Sequence, residues 1–223
     1  AIQRLARKAR TSVSWIFDDF NTARAASMAR RKSAALVFIS SNSGEEYIVV
    51  DGNVGDRKNL TAWHGGDALV KAVAAQNNNT IVVVNSVGPL IIEEWADHPN
   101  VTAIVWAGLQ GNEAGNAIAD VLYGKWNPSG KLPYTIAKKV EDYGAKLVLH
   151  NGPYQDVIRI PYEEGLEIDY RHFDAVSRHV VLIPHVSLTL IPQKKITPRY
   201  EFGFGLSYTK FEYSGLELRK VEQ

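Results

Sequence analysis

Two adjacent carboxylates, Glu45 and Glu46, are the residues of this sequence best placed for acid–base chemistry. They follow the apolar run AALVFISS, which has the composition of a buried strand, and lie in the loop NSGEEY. Gly44 permits a tight turn and the close approach of a ligand. A carboxyl group beside Tyr47 could be partly desolvated, which would suit it to donate a proton near neutral pH. A solvated turn is the alternative, and it is the commoner reason for adjacent glutamates in a loop.

A second charged group follows in DGNVGDRKN, where Asp56 precedes Arg57. The two side chains could take part in chemistry, or they could pair and simply brace a long loop. The glycines do not form a phosphate loop, because the Gly-Lys-Ser/Thr ending is missing. The six histidines show no metal-ligand spacing, and there are no cysteines. We therefore expect no cofactor and no metal.

The elements that position this loop alternate between helix and strand. Runs of β-branched residues predict strands at Ala34–Ser41, Thr80–Ser86 and Val101–Gly108. Helices are predicted at Asn21–Lys32, in the second half of Thr61–Gln76, at Pro89–His98 and at Asn112–Gly124. This order predicts an α/β fold, a three-layer sandwich in which helices cover both faces of a parallel sheet. Functional groups of such folds gather in the loops beyond the carboxyl ends of the strands, where NSGEEY lies.

The composition excludes several classes of partner. The formal net charge of the 223 residues is +1, which provides no field that favours nucleic acid or an anionic membrane. No apolar window approaches the ~18 residues of a membrane span. Asn-x-Ser/Thr acceptor triplets begin at Asn59, Asn78 and Asn100, so we expect an extracellular, secreted glycoprotein. The sequence has no signal peptide and no initiating Met, so we expect it to begin inside a longer protein.

The pattern of the chain changes after its middle. Residues 1–150 are expected to form the α/β domain, and residues 151–198 a loop-rich connection with scattered Gly and Pro. Residues 199–223 include the alternating run YEFGFGLSYTKFEYSGLEL, which predicts the start of an all-β element. A lone hairpin would be marginal in water, so this element is expected to be the truncated start of a β domain.

Several long motifs in the right order carry a resemblance to a known family. The segments NSGEEYIVVDGNVGDRKNL, VTAIVWAGLQGNEAGNAIADVLYG, EGLEIDYRHFD and ITPRYEFGFGLSYT together resemble the C-terminal part of fungal β-glucosidases of glycoside hydrolase family 3. The resemblance runs from about Trp15 to the end. It implies a fragment made of the α/β sandwich domain and the first strands of a fibronectin-III-like domain. In the intact enzyme, an N-terminal (β/α)8-like barrel would precede them.

The resemblance also implies a reaction and a role for the loop. Such enzymes hydrolyse terminal non-reducing β-D-glucosyl residues with retention, in substrates such as cellobiose, cello-oligosaccharides and aryl glucosides. The family's acid/base glutamate falls on Glu45, and the nucleophilic aspartate lies on the barrel, so the isolated chain is expected to be inactive. Glu46 stands where the motif has a second glycine and could obstruct the leaving group. Together with Glu46, the residues Tyr47, Asp56 and Arg57 are expected to support the loop or to lie next to the substrate.

Two alternatives and one anomaly stay open. The chain could be an inactive binding or scaffold module of the same fold, or part of another exo-glycosidase such as a β-xylosidase. The segment VSRHVVLIPHVSLTLIPQ, residues 176–193, interrupts the family register between RHFD and ITPRYEFG. Val-Ser can be encoded by GTAAGT and Gln by CAG, so the segment could be an unspliced fungal intron or a genuine apolar loop.

Overall fold

The computed structural model describes residues 1–149, 157–178 and 196–218. In chain order the helices are α1 (Ile2–Lys8), α2 (Thr22–Ala29), α3 (Gly66–Ala74), α4 (Ala114–Leu122) and α5 (Tyr170–Arg178). The strands are β1 (Ala35–Ser41), β2 (Val49–Val50), β3 (Asn53–Val54), β4 (Thr80–Ser86) and β5 (Val101–Trp106). The three strands predicted from β-branched runs are therefore confirmed, with ends that differ by two residues at most.

The central sheet has three parallel strands in the order β1-β4-β5. Ser41 of β1 pairs with Ser86 of β4, and Val84 of β4 pairs with Trp106 of β5. Because the strands are parallel, their carboxyl ends meet at one edge of the sheet. The loop that carries Glu45 leaves β1 at this edge, as predicted.

Apolar side chains from the sheet and two helices form the main core on one face of the sheet. This core includes Val37, Ile39, Val82 and Val84 from the strands, Leu69, Val70 and Val73 from α3, and Ala25 and Ala29 from α2. Each larger side chain removed from water contributes about 1.5–3 kcal/mol. Val83 points to the opposite face, since strand side chains alternate, and it is also fully buried. The opposite face is covered at β4, although Phe38 beside Val83 is 43% exposed. The parallel sheet with its packed helices confirms the α/β sandwich.

The helix predicted at Pro89–His98 is wrong, because this segment forms a series of turns. At its start, backbone groups bind other parts of the chain, and farther on the Ala96 amide donates to the Ile92 carbonyl at 2.9 Å within a turn. The amide of Ile91 donates to the carbonyl of Leu60 at 2.8 Å, and the Pro89 carbonyl accepts a bond from Arg57 at 2.9 Å. The Ile91 amide would have no partner within a first helical turn, whereas the Pro89 carbonyl binds Arg57 in place of a helical amide.

The described residues after the sandwich domain contact Thr135 and Ile136. Helix α5 lies within the connection that was predicted as loop-rich, and Asp169, just before it, accepts bonds from the amide and hydroxyl of Thr135. Tyr200 forms a single β-bridge with Ile136, and over residues 199–218 there is no strand. The fibronectin-III-like start therefore stays a prediction. Of the insert 176–193, residues 179–193 lie outside the described residues.

Helices α3, α4 and α5 each have nine residues, well below the ~20 that a membrane span requires. Across the described ranges no helix is both long and apolar enough to cross a bilayer. In the same part of the chain, no three side chains of His, Cys, Asp or Glu are grouped to hold a metal ion.

Candidate active site

The loop after β1 is a closed, hydrogen-bonded structure. The Ile48 amide donates to the Glu45 carbonyl at 2.8 Å, which makes a tight turn around Glu46 and Tyr47. The hairpin of β2 and β3 follows. At its base, the Gly44 amide donates to the Gly55 carbonyl at 3.0 Å, and the Gly55 amide donates to the Ile48 carbonyl at 2.9 Å. Residues 44–55 therefore form one unit in which Glu45 has a fixed backbone position.

The backbone of this loop packs closely against Gly44. A Cβ atom at position 44 would lie 2.5 Å from the Ile48 carbonyl oxygen and 2.9 Å from that of Gly55. Backbone oxygens cannot move away without breaking the bonds that close the loop. The glycine noted in the sequence is thus required by the approach of the loop's own backbone.

Glu46 has a backbone conformation that favours glycine. Its φ is +49°, in the left-handed region, where a Cβ atom costs about 1–2 kcal/mol. This conformation gives a physical reason for the glycine that the resemblance implies at this position. Glu46 therefore fits the same turn as a glycine would, with added backbone strain.

The carboxylates of Glu45 and Glu46 lie on the exposed side of the loop. The partial desolvation expected next to Tyr47 is therefore absent in this chain, and that prediction is wrong here. The Tyr47 ring is itself 70% exposed, so it covers neither carboxylate extensively. Among the described residues, the Glu45 carboxylate makes no hydrogen bond or ion pair, so it is accessible to a substrate.

Arg57 holds the far end of the loop to the edge of the sheet. Its amide donates to the Ser43 hydroxyl at 3.0 Å, and its Nη1 donates to the Pro89 carbonyl at 2.9 Å. Burial lowers the pKa of Arg57, an effect that the nearby Tyr134 and Tyr143 partly offset. The guanidinium nevertheless keeps its charge at neutral pH, because an arginine pKa starts above 12.

Asp56 does not form the ion pair with Arg57 that the sequence suggested. Its carboxylate lies 3.3 Å from the Ser43 hydroxyl, and its carbonyl accepts a bond from Asn53 Nδ2 at 3.0 Å. The two adjacent residues therefore brace the loop through separate partners. Ser43, two residues before Glu45, joins them because it contacts both.

Two groups near this edge were missed by sequence reasoning. The Trp106 indole donates to the Tyr134 hydroxyl at 2.7 Å, and burial raises the pKa of Tyr134. The imidazole of His64 lies between two carboxylates, 3.5 Å from Asp19 and 3.3 Å from Asp51. Both clusters join residues from separate segments, so no local spacing in the sequence could have indicated them.

The three predicted glycosylation acceptors differ in their surroundings. Asn59 and Asn78 are exposed, and the Thr61 hydroxyl donates to Asn59 Oδ1 at 2.8 Å. Asn100 is half-buried, and its Nδ2 donates to the Ala74 carbonyl at 2.8 Å. Glycosylation at these residues stays a prediction.

Comparison with known proteins places this chain in a family. The glycosyl hydrolase family 3 C-terminal domain matches residues 1–170. A beta-glucosidase of Schizophyllum commune is 58% identical over 175 residues, which are 78% of this chain and 90% of that sequence. The probable beta-glucosidase L of Neosartorya fischeri is 53% identical over 216 residues, which are 97% of this chain and 26% of that protein.

Solved structures agree with this placement. The beta-D-glucoside glucohydrolase of Trichoderma reesei is 48% identical, with a TM-score of 0.80 over 96% of this chain and 26% of that one. A family 3 beta-glucosidase of Neurospora crassa is 42% identical, with a TM-score of 0.81 over 96% of this chain and 23% of that one. The chain thus spans about a quarter of the length of these longer relatives. It belongs to the glycosyl hydrolase family 3 C-terminal domain family.

Proposed function

We propose that this chain supplies the acid/base, Glu45, of a retaining β-glucosidase. The observation that carries the proposal is the geometry of the Glu45 loop. An accessible carboxylate lies on a backbone unit that is closed at its base and anchored at the carboxyl edge of a parallel sheet. Catalytic side chains need such a fixed backbone with a free functional group. Relatives named beta-glucosidases support the choice of substrate.

The proposed reaction has two steps. The Glu45 carboxylic acid protonates the glycosidic oxygen as its bond to the anomeric carbon breaks, and a nucleophilic aspartate forms the glucosyl-enzyme. The Glu45 carboxylate then takes a proton from the water that attacks the anomeric carbon and releases the aspartate. Retention requires the two carboxyl groups to lie about 5–5.5 Å apart. In this proposal the aspartate comes from a barrel domain of the same polypeptide, and the isolated chain is inactive.

The other loop residues have supporting roles in this proposal. The exposed Tyr47 ring, two residues beyond Glu45, offers an apolar face to the leaving sugar. Asp56 and Arg57 hold the loop through Ser43 and the Pro89 carbonyl. Glu46 places a second carboxylate side chain next to the acid, at the position where the family motif has a glycine.

We also propose that the protein is secreted and carries N-glycans. Asn59 and Asn78 are exposed on the folded domain, where a glycan has room. Enzymatic deglycosylation of the natural protein should lower its mass by the mass of at least one glycan. An unchanged mass would contradict this proposal.

The decisive experiment expresses the complete reading frame and compares Glu45→Gln with Glu46→Gln. On cellobiose, E45Q should lower kcat about 10²- to 10⁴-fold, because a glutamine cannot donate the proton. On an aryl β-glucoside with an acidic leaving group the loss should be smaller, since that oxygen needs less protonation. E46Q serves as the matched control, with the same charge change one residue away.

Three outcomes would contradict the proposal in different ways. Full activity of E45Q together with loss of activity in E46Q would show that Glu46, and not Glu45, is the acid/base. Faster hydrolysis of aryl β-xylosides than of aryl β-glucosides would indicate a β-xylosidase. Binding of glucosides without any hydrolysis by the complete protein would indicate the scaffold module.

A further inference from the structure

We infer that His64 is a positioning residue for Glu45, because it ties the tip of the β2–β3 hairpin to the N-terminal segment. Its Nδ1 lies 3.5 Å from Asp19, and its Nε2 lies 3.3 Å from Asp51 at the hairpin tip. We call these three side chains the His64 clamp. The inference rests on the proposed role of Glu45, whose loop includes this hairpin.

The hairpin needs an external support at its tip. β2 and β3 have two residues each and pair only with one another, and a lone hairpin is marginal in water. Ile48, Val49 and Val54 are each about half exposed, so little apolar burial holds the hairpin. Backbone hydrogen bonds fix its base at Gly44 and Gly55. The tip is held by the His64 clamp.

The backbone of His64 supports a functional role for its side chain. Its φ is +53°, a conformation that costs about 1–2 kcal/mol for a residue with a Cβ atom. Such strain persists where surrounding structure imposes it, and it tends to occur at functional positions. His64 lies just before α3, whose Leu69, Val70 and Val73 are buried in the core. The imidazole is therefore attached to a rigid part of the domain.

The protonation state of the imidazole decides whether both contacts form. A neutral imidazole carries one N–H, so only one of the two carboxylates can accept a bond from it. The other ring nitrogen then has only a lone pair, which repels the lone pairs of the second carboxylate. An imidazolium carries a positive charge, which attracts both carboxylates at these distances.

Acidic and aromatic side chains surround the ring. The carboxylates that face it are Asp19 from the N-terminal segment and Asp51 from the hairpin. The rings of Phe20 and Trp63, at 6.1 and 6.4 Å between centroids, are uncharged. A positively charged side chain at this place is attracted by both carboxylates, which closes the clamp.

The size of the effect is limited by solvent. The side chains of His64, Asp19 and Asp51 are 37%, 45% and 52% exposed, so each ion pair is screened. We expect the clamp to change kcat about three- to tenfold through the position of Glu45. The KM should change less, because the hairpin tip is not proposed to bind the substrate.

The test uses the complete protein with His64→Gln and His64→Lys, assayed on cellobiose. H64Q should lower kcat about three- to tenfold and leave the KM nearly unchanged, because a neutral side chain loses the attraction to both carboxylates. H64K keeps a positive charge, so it should recover much of that activity. H64Q with the wild-type kcat would overturn the inference.

Hydrogen exchange separates this inference from the proposed catalytic role. H64Q should speed amide exchange in residues 49–54, and Asp51→Asn in the same background should add little further change. Unchanged exchange in H64Q would refute the clamp whether or not Glu45 is the acid. Full activity of E45Q together with faster exchange in H64Q would instead refute the role of Glu45 and leave the clamp as a structural contact.

Discussion

Glu46→Gly should stabilise the chain by releasing the strain in the turn next to Glu45. With φ at +49°, the Cβ atom of Glu46 costs about 1–2 kcal/mol. Glycine also gives the unfolded chain more freedom, which offsets about 0.4–1 kcal/mol of the gain. The net increase in the free energy of unfolding should be about 0.5–1 kcal/mol. For a chain of this size, Tm should rise by about 1–4 °C.

Urea unfolding followed by circular dichroism measures this difference, and two variants separate its causes. Glu46→Ala removes the carboxylate but keeps the Cβ atom, so it should stay within about 0.5 kcal/mol of wild type. Lys58→Gly is the matched glycine control, because Lys58 is exposed just beyond the loop and has no positive φ. It should lose about 0.4–1 kcal/mol. Equal stability of E46A and E46G would refute the strain argument.

Two further substitutions test the loop and the core by thermal and urea unfolding. Gly44→Ala should destabilise the chain by about 1–3 kcal/mol, because the new methyl group would meet the carbonyls of Ile48 and Gly55; an unchanged Tm would show that the loop can open there. Asp67→Asn should stabilise the chain at pH 7, because burial raises the pKa of Asp67 and the Trp95 indole can still donate to an amide oxygen. A folded-state pKa above the unfolded value means that the carboxylate lowers stability at high pH, so this gain should vanish as the pH falls below about 4. A gain that persists at pH 3 would contradict that cause.

The sequence was sufficient for the sheet and for the position of the Glu45 loop. β4 begins with a continuous β-branched run and is buried along most of its length, whereas β1 buries alternate residues toward the core. The predicted helix at Pro89–His98 failed for a different reason. A proline at the first position suits a helix, but the Leu60 carbonyl and the Arg57 guanidinium bind the backbone of this segment. Such tertiary contacts cannot be read from local spacing.

Some features of the site could likewise be predicted from the local sequence, and others depend on contacts between distant residues. The family motif assigns the acid/base role to Glu45 and a glycine position to Glu46. The positive φ of Glu46 gives a physical reason for the glycine at that position. The exposure of both carboxylates and the separate partners of Asp56 and Arg57 depend on how residues 43–57 fold back on themselves. The His64 clamp joins three segments, so only the folded chain brings it together.

The insert enters the chain between two segments that support the site indirectly. Before it, Asp169 binds the amide and hydroxyl of Thr135. After it, the Tyr200 carbonyl accepts the Ile136 amide at 2.8 Å. Both contacts hold the stretch that begins at Tyr134, whose ring lies close enough to the Arg57 guanidinium to affect its pKa.

The residues that follow the insert are also anchored to the sandwich domain. Arg199 forms paired ion contacts with Glu93 and Asp97, in the turns that follow the Pro89 carbonyl bound by Arg57. The hydrogen bonds to Arg199 lower the pKa of Asp97, so this contact weakens as the pH falls below the ordinary range of a carboxyl group. The segments before and after the insert therefore each contact residues that lie next to Arg57 or to its partner Pro89. The residues that make these contacts lie outside 176–193, so the described chain on each side of the insert supports the Glu45 loop through its own side chains and backbone.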